Sequence, residues 1–187
     1  MFDLDTFVGD CRAACASDRS SKAICDVVRR AVSDPEGLLR VLGEPAAAGL
    51  SELYRSPDLT ILNVIWAPGM MIMPHNHHMW ATIGVYGGRE DNIFWRRIGQ
   101  SGQNQLQAAG AHSLAAKDVQ PLGEDIIHSV INPTSKFTAA IHVYGGDFFA
   151  EHRSEWDSET LMEQPSDGER ARQIFAEANR RYTAGRS

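Results

Sequence analysis

At 187 residues, with 43% hydrophobic and 22% charged side chains, the chain has the size and composition of one globular domain with a substantial core. Its formal charge of −6 carries no basic block, which argues against nucleic acid or an anionic membrane as partner. No apolar run is long enough to span a bilayer, and the start Met-Phe-Asp-Leu-Asp lacks the basic region and apolar core of a secretory leader, so the expectation is a cytoplasmic protein. Cys11, Cys15 and Cys25 have no metal-knuckle or redox spacing and read as small buried or half-buried thiols.

Residues 1 to about 45 read as helical. Leu4, Phe7, Val8 and Cys11 recur at helical spacing, as do Ile24, Val27, Val28, Ala31 and Val32. In Ser33-Asp34-Pro35-Glu36 a proline follows a good capping residue, which starts a further helix through Leu38, Leu39 and Val41 to a stop near Gly43. From about residue 50 short strands take over: Leu59 to Trp66, Met70 to His77, Trp80 to Tyr86, and Asp91 to Ile98. Polar Gln100 to Gln107 reads as a loop or hairpin tip. Strands resume near Ala111 to Leu114, Val119 to Leu122, Ile126 to Val130 and Phe137 to Tyr144. Beyond Gly145-Gly146 the pattern returns to helix, weakly over Glu159 to Glu163 and strongly from Asp167 to about Tyr182, with fraying expected from Thr183. The organisation expected is a single mainly β domain: a helical segment over 1–48, a barrel or sandwich core over 50–150, and a helical extension over 155–187.

The chemistry concentrates in Gly69-Met-Met-Ile-Met-Pro-His75-Asn-His77. On a strand, residues two apart point to one face, so both imidazoles can reach a common point. His128, from another strand, would complete three neutral nitrogen donors, a set that holds a divalent metal and leaves positions open for substrate. This spacing admits iron, nickel, manganese, zinc or copper alike. His78 points away from its neighbours. Trp66, Trp80, Met71 and Met73 read as core or pocket wall, and Glu90-Asp91 as a solvated strand end.

Gly69, five residues, His75-x-His77 and then Gly88 resemble the first motif of the cupin superfamily. Pro121-x-Gly123, four residues, His128, three residues and Asn132 resemble the second. The resemblance implies a double-stranded β-helix, a small β-barrel, with N-terminal helices and a C-terminal helix packed outside. The glutamate of the first motif falls on Ala81 or Thr82, neither of which ligates metal. A cupin without that carboxylate resembles the thiol dioxygenases, and His75 to Glu90 is similar to the bacterial 3-mercaptopropionate and cysteine dioxygenase-like group, over roughly residues 50–155.

That resemblance implies one Fe(II) on His75, His77 and His128, with nickel, zinc or manganese as substitutes. A small carboxylated thiol and O2 would be the partners, and a sulfinic acid the product. It implies that Tyr144, backed by His142, positions oxygen or substrate, although the family's Ser-x-His-x-Tyr run here begins with Ala140. A cysteine that cross-links to the tyrosine in animal cysteine dioxygenases corresponds to Ala81. Arg55, Arg153 and Trp66 are the substrate-binding candidates, either arginine being able to fork onto a carboxylate. Two other readings stay open: a three-histidine cupin oxygenase cleaving a C–C bond, and a non-catalytic metal-binding cupin.

Overall fold

The computed structural model describes residues 1–17, 21–98 and 105–185. Three helices open the chain: α1 (Leu4–Ser17), α2 (Ser21–Val32) and α3 (Pro35–Leu42). α3 begins where the capping pattern places it, with Asp34 accepting a hydrogen bond from the Gly37 amide at 3.0 Å and Pro35 in the first turn. The strands among the described residues are β1 (Gly49–Arg55), β2 (Thr60–Trp66), β3 (Met71–Asn76), β4 (Ala81–Gly87), β5 (Arg89–Ile98), β6 (Gln105–Ala115), β7 (Val119–Leu122), β8 (Ile127–Ile131), β9 (Thr138–Tyr144), β10 (Ser154–Trp156) and β11 (Glu163–Pro165). A last helix, α4 (Gly168–Ala184), closes the chain.

The strands form two antiparallel sheets, ordered β1-β2-β9-β4-β7 and β11-β10-β3-β8-β5-β6. With β1 and the β10–β11 hairpin set aside as edge additions, the other eight follow the jelly-roll order. Strand β9 returns beside β2, β8 beside β3, β7 beside β4, and β5 and β6 form a hairpin. This is a double-stranded β-helix, the fold the motifs imply.

Strands β2 and β9 are buried along their whole length because both of their faces are covered. Leu62, Val64, Trp66, Ala140 and Tyr144 belong to the barrel's interior core. Their alternates Ile61, Ile65, Ala139, Ile141 and Val143 pack instead with Phe7, Ile24, Val28 and Leu38 of the N-terminal helices. The approach is closest at Gly84, where a Cβ would lie 2.4 Å from Val28 and 2.9 Å from Val32. Gly88 turns the β4–β5 hairpin with φ of 76°, in the region that favours glycine.

Several features differ from the sequence expectations, among them Met71, expected in the core or pocket wall but 55% exposed. Strand β1 pairs with β2 although its residues lack a strong strand pattern, and the weak helix expected at Glu159 to Glu163 is absent. There the Asp157 side chain accepts from the amides of Glu159 and Thr160 at 3.1 and 2.8 Å, which favours a turn, and Glu163 then enters β11. Strand β6 starts at Gln105, so only residues 105–107 of the expected polar loop are described as strand, and residues 100–104 lie outside the described residues. Finally, α4 lines one side of the cavity described below. Phe175 stacks on Trp66 with ring centroids 5.6 Å apart, and Asn179 exchanges two hydrogen bonds with the Ala48 backbone.

Candidate metal centre

Strand register brings the three histidines together. His75 and His128 are directly paired across β3 and β8, and a register irregularity between Ile72 and His75 re-aims the end of β3. His77 follows one residue after that strand ends, and its ring is 5.0 Å from that of His128. One ligand nitrogen from each of the three lies within 4.8 Å of the others.

Hydrogen bonds decide which nitrogens face one another. The Nδ1 of His128 lies 2.6 Å from Asn92 Oδ1, and that of His75 lies 3.0 Å from the Met73 carbonyl. Both acceptors require Nδ1 to carry the proton, which leaves each Nε2 as a bare lone pair. The Nε2 atoms of His128 and His77 are 3.3 Å apart. Burial is the main cause that pushes all three imidazoles below their ordinary pKa, His75 to about 4 and the other two well below 6.5. Neutral, convergent nitrogens, two of them on rings held from the far side, are the donor chemistry of a divalent metal site.

No carboxylate joins this set among the described residues. Ala81, at the position of the absent glutamate, packs in the barrel core, and Thr82 faces α2, where its hydroxyl lies 3.7 Å from Cys25 Sγ. Cys11 and Cys25 are buried and Cys15 is half-buried, all three as free thiols.

A chain of buried polar groups runs beside the metal set. The Tyr144 hydroxyl lies 3.0 Å from His142 Nδ1, and His142 Nε2 lies 3.5 Å from Glu90 Oε2, close but not aligned as a hydrogen bond. Glu90 accepts from Trp66 Nε1 at 2.8 Å and from Asn92 Nδ2 at 3.0 Å, and Asn92 in turn holds His128. Glu90 is 0% exposed. Burial alone would raise its pKa; the His142 ring, Asn92 and Trp66 outweigh that and hold it below the ordinary carboxylate value. The sequence reading placed Glu90 at a solvated strand end, and this is corrected by its alternation. Arg89 and Asp91 pair with each other outside at 2.7 Å, which turns Glu90 and Asn92 inward.

The histidines open into a cavity of about 390 Å³, and Trp66, His142, Tyr144 and Arg153 also line it. Arg153 lies with its guanidinium carbon 3.9 Å from the Phe148 ring centroid, and its buried Nε has no hydrogen-bond partner. Arg55 is placed elsewhere. It forks onto Asp147 at 2.8 and 3.0 Å, stands over Phe149, and does not line the cavity.

No protein-family model matches the chain. Solved structures that resemble it include oxalate decarboxylase from Bacillus subtilis (14% identity, 51% of this chain and 23% of that one, TM-score 0.41). An oxalate oxidase bound to the substrate analogue glycolate gives 15% identity, 55% and 53% coverage, and a TM-score of 0.41. A protein with a double-stranded β-helix domain from Klebsiella pneumoniae gives 16%, 60% and 81%, with a TM-score of 0.46. The chain thus spans about a quarter of the length of the oxalate decarboxylase and about half of the oxidase. The site is a three-histidine centre in a double-stranded β-helix. No helix among the described residues is long and apolar enough to cross a membrane.

Proposed function

We propose that the protein is a mononuclear non-haem iron dioxygenase that converts a carboxylated thiol to its sulfinic acid. The observation that carries this reading is a trio of neutral imidazoles, joined by no carboxylate among the described residues, opening on a cavity lined by half-buried Arg153. His75, His77 and His128 would hold the metal. When bound, Fe(II) would supply uncompensated positive charge that favours a thiolate, together with a binding site for O2. The reaction balances without a separate reductant: RSH + O2 gives RSO2H, sulfur losing the four electrons that the two oxygen atoms gain.

The chain's own groups divide the remaining work. Arg153 neutralises the carboxylate and sets the distance between that group and the sulfur. Tyr144, whose ring meets that of His77 edge-on at 5.1 Å, takes the thiol proton on its hydroxyl oxygen as it passes its own to His142 Nδ1. Glu90 then balances the imidazolium. Ala140 gives His142 no hydroxyl partner, and the Glu90 carboxylate stands at 3.5 Å from its Nε2 instead. A cavity without a lining cation would suit a C–C-cleaving oxygenase better.

Oxygen consumption by anaerobically iron-loaded protein against a panel of thiols tests the proposal. Carboxylated thiols should be oxidised with one O2 per sulfinate, and His128→Ala should abolish uptake. Absence of uptake with every thiol, despite one iron per chain, would overturn it. Arg153→Ala should raise KM for carboxylated thiols at least tenfold and leave cysteamine unaffected.

A further inference from the structure

The space above the histidines exceeds what a three-carbon mercapto acid fills. Its volume of about 390 Å³ falls in the range of pockets that take drug-sized ligands, roughly 300–1,000 Å³. Tyr144, His142 and Arg153 line the space together with the three metal-site histidines, and Glu52, Glu155, Ser166 and Arg172 add further polar groups to the wall. Most of the lining is nevertheless apolar, with Ile72 and Val130 from the sheet, Phe148 after β9, and Ile174 and Phe175 from α4. Phe149 extends this lining to the mouth, where it is 45% exposed. A short polar ligand would leave these side chains facing water or a void, and neither matches the dispersion attraction of a fitting apolar group.

We infer that the substrate is a mercapto acid whose skeleton carries an apolar group, aryl or branched alkyl, seated between Phe148 and the Ile174–Phe175 face of α4. This rests on the thiol dioxygenase reading for the sulfur, and on the cavity alone for the apolar group. Arg153 fixes the acid at one end, and the histidines fix the sulfur. The apolar body extends from there toward α4. Each methylene buried adds about 0.8 kcal/mol, a factor of about four in affinity.

The test separates the two readings by using carboxylates without sulfur. Calorimetric titration of metal-free protein with propionate, hexanoate and 3-phenylpropionate should show affinity rising at least tenfold across the series. Ala171→Phe, which places bulk on the α4 wall of the cavity, should bring the affinity ratio of 3-phenylpropionate to propionate close to one, with an unaltered melting temperature confirming the fold. Equal affinity along the series, preference for propionate, no binding by any of the three, or a gain that survives Ala171→Phe would each overturn the inference. Oxygen uptake by the iron-loaded protein then provides an independent test. Oxidation of 3-mercaptopropionate with no advantage for its 2-benzyl derivative would overturn the apolar-substrate inference alone. A rising carboxylate series without oxidation of any thiol would overturn the sulfur chemistry alone.

Discussion

Glu90 is a buried carboxylate whose two oxygens are both in use, one by Trp66 and the other by Asn92. Glu90→Gln keeps the shape but replaces one acceptor with a donor, so one of those N–H groups loses its partner. The expected cost is about 1–3 kcal/mol, read by urea denaturation. Turnover should fall as well, because His142 loses the charge that balances its protonated form, and the fall should be in kcat with KM little changed. Wild-type stability and turnover in Glu90→Gln would remove the carboxylate from the account. Tyr144→Phe should lower kcat by about a hundredfold, the scale of a lost proton-transfer group, without weakening binding of a carboxylated thiol. The convergence of the three histidines was legible because strand periodicity and two motifs both point to it. Glu90 was not, because a charged run beside Arg89 and Asp91 reads as surface until the register shows which of its members turn inward. Sequence context did not separate the two arginines by position: Arg55 pairs with Asp147, and Arg153 lines the cavity.

At the level of elements, the N-terminal helices and α4 have different tasks. Helix α2 is a buttress, set against β4 at Gly84. Gly84→Ala should force it outward and cost about 1–3 kcal/mol, seen as a lower urea midpoint with metal binding retained. Helix α4 is a wall of the cavity. Asn179→Ala should release its pairing with Ala48 and weaken ligand binding more than global stability, which parallel titration and denaturation would show. Equal losses in both measurements would make α4 a purely structural element. The interior strands and α3 were readable because continuous apolar runs, a proline and a capping aspartate each act locally. Strands β1, β10 and β11 were not, since they are edge additions stabilised by the partners they meet. The place of α4 over the barrel mouth depends on Phe175 finding Trp66, a contact across more than a hundred residues of sequence.

For the whole molecule, the buried histidines couple folding to pH. Folded His75 holds a proton only below about 4, whereas an unfolded histidine takes one near 6.5. Between those values the unfolded chain binds more protons, so the metal-free protein should lose stability as pH falls from about 6.5 toward 4. His77 and His128 act in the same direction. Denaturation of chelator-treated protein at pH 7.5 and 5 should show the lower midpoint at pH 5, and His128→Gln should flatten the slope. An unchanged midpoint would mean that the imidazoles are neither buried nor neutral. The central claim is that three uncharged protein nitrogens hold a metal whose anionic ligand arrives with the substrate. Optical titration of the Co(II)-loaded protein with a mercapto acid tests this most directly. The account predicts a sulfur-to-cobalt charge-transfer band that saturates at one thiol per metal, and a cobalt spectrum left unchanged by thiol would contradict it.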